Sequence, residues 1–243
     1  MITGDILTKN LTRNEFIICD WDSVIQDIDL KWTAKIIDNE EIFAPYFDYS
    51  RLKNEKGEWD LALSWKRPTY YFNDWLKRDD IDELPKDILK KFISLYIDDP
   101  LYYLDCEFLI MAETLRKLSY EKFVDKIVFL SSAPKDYETD PRKLIMMERF
   151  FKDNLGKFSL NVIHGNIPKS KFINENYPNY TVFIDDRSDI IRDVINNTDS
   201  ANKQFIFPCC GYNMELGKDQ KYIEECYNKG MIISTYKQEI FKG

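Results

Sequence analysis

Four short apolar runs, each ending in small or acidic residues, constrain this chain most: FIICD (16–20), KIVFLSS (126–132), TVFIDD (181–186) and QFIFPCC (204–210). Runs this continuous, without a polar residue at every second position, are expected of strands buried on both faces, as in a parallel sheet. Helix-patterned segments lie at 113–124, 141–155, 169–176 and 188–197. SLNVIHG (159–165) fits a weaker strand, and GMIIST (230–235) an edge strand. Strands alternating with helices of this length predict an α/β chain with a doubly wound, Rossmann-like parallel sheet and right-handed crossovers. Such sheets bind ligands at the carboxyl ends of their strands.

Residues 25–105 break the rhythm and read as an insertion, which divides the chain into a core of residues 1–24 and 106–243 and an inserted unit. The insertion carries four of the five tryptophans (Trp32, Trp59, Trp65, Trp75) and the cluster PTYYFNDW at 68–75. LPKDILKKFISLY (84–96) and DLALSW (60–65) suggest mainly helices, with KNEKGEWD (53–60) a turn.

Charge and composition remove several functions. The net charge of −8 disfavours binding to long nucleic acid, which needs a basic surface. The start of the chain, MITGDILTKNLTRNEF, lacks the apolar centre of a signal peptide, and no run of about 18 apolar residues appears, so a cytoplasmic protein without membrane contact is expected. Five cysteines without a CxxC pair indicate neither a disulfide framework nor a zinc site. The single histidine, His164, removes chemistry that needs a histidine pair.

What remains is chemistry carried by carboxylates. The first strand run ends in Asp20 and Asp22, the second in Ser131 and Ser132, the fourth in Asp185 and Asp186, and Lys169 and Lys171 open the helix at 169–176. A parallel sheet brings these ends to one rim. Carboxylates converging there repel one another unless a cation neutralises them, and oxygen-only ligands favour a hard ion such as Mg²⁺. Hydroxyl and ammonium groups beside that ion suit a phosphoryl group. Asp20 and Asp22, two residues apart on a strand, would share a side, with Trp21 turned into packing.

The order DxD, hydroxyl after a hydrophobic strand, lysine, acidic pair resembles the four motifs of the haloacid dehalogenase (HAD) superfamily of phosphotransferases, over about two thirds of the chain. The resemblance implies that Asp20 is a nucleophile forming an aspartyl-phosphate and that Asp22 is its general acid and base. It implies phosphate binding by Ser131, with Ser132 beside it, and by Lys169 or Lys171, with Lys169 preferred at the mouth of its helix. It further implies a Mg²⁺ site drawing on Asp20, Asp22, Asp185 and Asp186, in which Asp186 is the more direct ligand of the pair and Asp189 a supporting acid. Ser23-Val24 departs from the Gly-Thr usual after the second aspartate. The insertion resembles a C1-type helical cap, in which Tyr70, Tyr71, Phe72 and Trp75 would meet the substrate. SSAP (131–134) and IFPCCGYN (206–213) resemble, over a few residues, the 5′(3′)-deoxyribonucleotidase branch. A small phosphorylated substrate, a (deoxy)nucleoside monophosphate, is the expectation; a polynucleotide end-phosphatase and a catalytically silent phosphate-binding domain are the alternatives.

Overall fold

The computed structural model describes residues 15–133, 141–165, 167–209, 211–213, 220–237 and 239–240. Pro134 of the second motif and Cys210 of the late turn lie outside the described residues. Six strands, β1 (Glu15–Cys19), β2 (Val124–Ala133), β3 (Phe158–His164), β4 (Val182–Ile184), β5 (Gln204–Cys209) and β6 (Ile232–Lys237), form one sheet. Their order is β3-β2-β1-β4-β5-β6 and every pairing is parallel.

Period-two alternation explains how continuous apolar runs serve this sheet. Ile17, Cys19, Ile127, Phe129, Val182, Ile184 and Ile206 belong to the core of one face. Ile18, Leu130, Phe183, Phe205 and Phe207 belong to the core of the other. Two large cores, one for each face, leave no solvent side to β1, β2, β4 and β5, whose polar residues are confined to strand ends, whereas the edge strands β3 and β6 carry polar residues such as Asn161 and Ser234 in mid-strand. Winding outward from β1 in one direction and from β4 in the other places a topological switch between them, where doubly wound sheets open a ligand crevice.

The core helices are numbered with those of the insertion in chain order: α1 (Ile28–Asp38), α2 (Glu40–Phe43), α3 (Phe72–Leu76), α4 (Lys86–Ile97), α5 (Ile110–Leu118), α6 (Pro141–Phe150), α7 (Lys169–Asn176), α8 (Ser188–Asn197) and α9 (Gln220–Asn228). Three helices differ from the sequence expectation. Helix α5 starts at Ile110 and stops at Leu118, because Val124, the expected last helical residue, pairs with Glu15 as the start of β2. Helix α6 stops at Phe150, and a 3₁₀ stretch with non-helical Asn154 follows. Helix α9 has no counterpart among the expected segments.

Between β1 and β2, helices α1 to α4 and several 3₁₀ turns gather round their own apolar cluster, including Ile36, Phe43, Phe47, Leu52, Phe72 and Phe92. Lys53 and Trp59 bridge across a turn at Gly57, whose φ of 79° suits glycine. The chain leaves and re-enters the core side by side: Asp27 N–H donates to Glu107 C=O at 2.8 Å and Leu109 N–H to Ile25 C=O at 2.9 Å. Among the described residues no helix is long and apolar enough to cross a membrane.

Asp27 sits at this crossing as the N-cap of α1. Its Oδ1 accepts from Leu30 N–H at 3.0 Å and from Trp65 Nε1–H at 3.3 Å, whereas its buried Oδ2 has no hydrogen-bond partner. Burial, with Asp29 nearby, raises its pKa to about 7. A carboxyl group whose pKa is raised on folding binds its proton more tightly in the folded state, so stability falls as pH rises from about 4 to about 7 and levels off above that. Asp27→Asn keeps the capping oxygen without the charge. Its melting temperature should therefore fall less than that of wild type between pH 5 and pH 8, leaving it about 1–3 kcal/mol more stable than wild type at pH 8. Parallel melting curves across that range would refute the assignment.

Candidate active site

The rim at the switch is built by short loops that keep pairing after the strands end. Asp20 N–H donates to Ile184 C=O at 2.8 Å, and Asp185 N–H to Ile206 C=O at 3.2 Å. This fixes Asp20 beside Asp185 and Asp186. Each of the three buried carboxylates offers an oxygen lying within 4.8 Å of the others.

Lys169 enters the same cluster from α7. Pro168 precedes the helix with φ −60°, so the first helical residue is held at the crevice. Its Nζ lies 2.8 Å from Asp20 Oδ1 and 2.7 Å from Asp185 Oδ2. Lys171 faces solvent, as a residue two positions on, about 200° round a helix, must. The structure thus brings one of the two candidate lysines to the carboxylates.

The acidic neighbours are not equivalent. Asp185 accepts from Lys169 through one oxygen and from Arg187 N–H at 2.9 Å through the other. Asp186 accepts from the neutral phenol of Tyr212. Burial, joined by the charges of Asp185 and Asp20, pushes the Asp186 pKa well up. Burial also raises Asp20, against the pull of Lys169. Burial would lower Lys169, but Asp185 and Asp20 reverse this and hold its ammonium above the ordinary range. Three buried carboxylates, two of them joined to one ammonium, make a donor set of hard oxygens with excess negative charge, which fits a hard metal cation.

Asp22 is held apart from this trio. Strand β1 ends at Cys19, so Asp20 and Asp22 lie in the loop and share no strand face. Trp21 between them is fully buried, with its ring edge-on to Phe129 at 5.0 Å. Ser23 then takes φ 57°, the left-handed conformation for which glycine is the default residue. The Asp22 carboxylate accepts from Tyr103 O–H at 2.7 Å and from Lys143 Nζ at 2.6 Å, and Ser131 Oγ lies 3.5 Å away. Lys143 also donates to Ser131 at 2.5 Å.

Lys143 is one of the site residues that sequence reasoning missed. It lies on α6 and is 2% exposed. Its signal was present: Lys143 precedes Met146 and Met147 by three and four positions, on the apolar face of PRKLIMMERF. A lysine on that face, unlike one on the solvated side, needs a partner.

A cavity of about 640 Å³ opens beside the carboxylates, between the rim and the inserted helices. Tyr70, Ser132 and Arg187 line both this cavity and a smaller recess reached by Asp20, Asp22 and Lys169. Of the four aromatic candidates, Tyr70, Tyr71 and Phe72 line the large cavity, with Phe72 also packed in the inserted core. Trp75 packs against that core. Asp189 is tied to Arg187, whose guanidinium lies 4.5 Å over the Tyr70 ring. Arg67 is sandwiched between Phe72 at 4.2 Å and Tyr212 at 4.5 Å, so the insertion touches the same tyrosine that holds Asp186. The contact is close: a Cβ on Gly211 would meet the Arg67 carbonyl oxygen at 2.4 Å.

Fold and site together define a doubly wound α/β protein with an acidic, lysine-bridged centre at its switch point. No family model matches the chain, and no curated protein matches it. Among solved structures, a haloacid dehalogenase-like family hydrolase from Xanthomonas campestris is similar at 9% identity with a TM-score of 0.43, over 89% of this chain and 98% of that one.

Proposed function

We propose that the chain is a Mg²⁺-dependent phosphomonoester hydrolase of the HAD type, acting on (deoxy)nucleoside monophosphates, with residues 25–105 as the cap that selects the substrate. The observation that carries this reading is the trio Asp20, Asp185 and Asp186, with Lys169 bonded between two of them. Structural ion pairs do not need three buried carboxylates, whereas a metal-assisted phosphoryl-transfer site can use them.

Asp20, at the end of β1, is the nucleophile: its carboxylate oxygen forms the bond to phosphorus as the ester P–O bond breaks. Asp22 passes to the departing oxygen a proton taken from the Lys143 ammonium hydrogen-bonded to it. It then takes one from the water that attacks phosphorus and frees Asp20. Lys143 and Tyr103 hold Asp22 in place for both transfers. Lys169 supplies positive charge beside the reacting oxygens, and Ser132 lines the recess where they would sit. Mg²⁺, held by Asp20 and Asp186 with Asp185 behind them, would offset the charge of nucleophile and phosphate. The aromatic walls of the adjoining cavity support a flat leaving group.

A hydrolysis screen tests this reading. Nucleoside monophosphates and glycerol phosphate should release phosphate with Mg²⁺, stop with chelator and recover on adding Mg²⁺ back, the nucleotides reacting faster. Release from none of them, or release indifferent to chelator, would overturn it.

A further inference from the structure

Two tyrosines at the rim use their hydroxyls on carboxylates: Tyr103 O–H donates to Asp22 at 2.7 Å and Tyr212 O–H to Asp186. A third does not. Tyr70, in the insertion, is half-buried and lines the recess that Asp20, Asp22 and Lys169 reach. Its phenol has no hydrogen-bond partner among the described residues, and its oxygen keeps accessible surface. That oxygen nonetheless feels the charges of the site. Burial first, then the negative charges of Asp186, Asp20 and Asp22, push its pKa well up against the pull of Arg187, so the phenol keeps its proton and remains a donor.

The ring is fixed from several sides. Tyr70 C=O accepts from Arg67 Nε–H at 3.1 Å, and Arg67 is itself paired with Asp29 at 2.8 Å. The Arg187 guanidinium lies 4.5 Å over the ring, while Tyr71 and Tyr212 meet it edge to face at 5.2 and 5.6 Å. A face covered by a guanidinium has no room for a base. What this ring still offers the site is the hydroxyl at its tip. A fixed donor beside carboxylates that it does not touch calls for an acceptor placed among them, and charged phosphoryl oxygens are the strongest acceptors that such a recess would receive.

We propose that Tyr70 is a catalytic residue supplied by the insertion, donating its phenol to a non-bridging oxygen of the phosphoryl group. The proton stays on the tyrosine, and the bond strengthens as charge builds on that oxygen in the transition state. The site on the sheet rim is then incomplete without residues 25–105. This inference rests on the phosphomonoesterase reading above, and leaves a flat leaving group to the other aromatic walls.

Tyr70→Phe keeps the ring under Arg187 and removes only the hydroxyl. In calorimetric titration of the full chain with inorganic phosphate and Mg²⁺, the variant should bind phosphate about 10–100-fold more weakly than wild type. Its kcat/KM should fall about 10²-fold on thymidine monophosphate and on glycerol phosphate alike, since both carry the phosphoryl group. The melting temperature should not fall, because no partner is lost. Unchanged phosphate affinity in Tyr70→Phe, or no phosphate binding by wild type, would overturn the role of Tyr70. So would a loss confined to the nucleotide, which marks a stacking ring, or a lowered melt, which marks a structural hydroxyl. Phosphate binding that Tyr70→Phe weakens, together with no release from any monoester by wild type, would support the phosphoryl contact while the hydrolase reading fails.

Discussion

Asp20→Asn should reduce phosphate release at least about 10⁴-fold and leave the melting temperature at or above that of wild type. The catalytic loss is expected because an amide does not displace an alkoxide from phosphorus, and the other carboxylates are held elsewhere: Asp185 by Lys169 and the Arg187 N–H, Asp186 by Tyr212, and Asp22 by Lys143 and Tyr103. The retained stability is expected because burial already penalises the Asp20 charge, and Asp185 adds repulsion. Asparagine removes both penalties and leaves Lys169 its contact with Asp185. Steady-state phosphate release and a thermal melt on the same preparation check the two halves. Turnover near the wild-type rate removes Asp20 as nucleophile; lost turnover with a collapsed melt shows a structural carboxylate instead.

The contrast between Lys169 and Lys143 shows where sequence reasoning reaches and where it stops. Strands buried on both faces advertise themselves as unbroken apolar runs, and a polar group at such an end has few structural uses, so Asp20, Asp185 and Asp186 were legible one strand at a time. That β4 lies beside β1 was not: adjacency depends on which way each crossover turns, and Ile17 to Cys19 would read the same beside any strand. Lys169 could be narrowed to a pair by sequence, and helix geometry decided between them. Lys143, mid-helix, is chosen by a contact 121 positions away in the chain. Arg67 and Tyr212 likewise depend on the insertion touching the core, which no local pattern encodes. Ser23 was legible as a departure from glycine, but its φ of 57° shows that the turn keeps the glycine conformation with a side chain that reaches Asp29.

Lys169→Met should have the largest effect on stability. Lys169 is 5% exposed and bridges Asp20 and Asp185 at 2.8 and 2.7 Å, and methionine fills similar space without charge. Removing one partner of a buried ion pair leaves the other charge uncompensated, at about 3–5 kcal/mol. In metal-free protein at pH 8 that loss should appear in full. Lowering the pH to 5 should recover part of it, because carboxylates that have lost their ammonium take up protons more readily, and protonation stabilises the fold where the folded-state pKa exceeds the unfolded one. Mg²⁺ should recover more, since a cation that binds the folded carboxylates alone stabilises by mass action, and the variant has the greater excess charge to neutralise. Activity should follow a different course: with the melt restored by Mg²⁺, turnover should remain about 10²–10³-fold low, because charge beside the reacting oxygens must be fixed in place and not merely present. Lys171→Met, on the exposed side of the same helix, is the control for the loss of one lysine. If Lys169→Met melts with wild type in the absence of metal, the ammonium does not balance the trio and the charge argument for a cation fails with it. If Mg²⁺ restores turnover as fully as stability, Lys169 serves only to hold the carboxylates together, and the phosphoryl group is met by other residues.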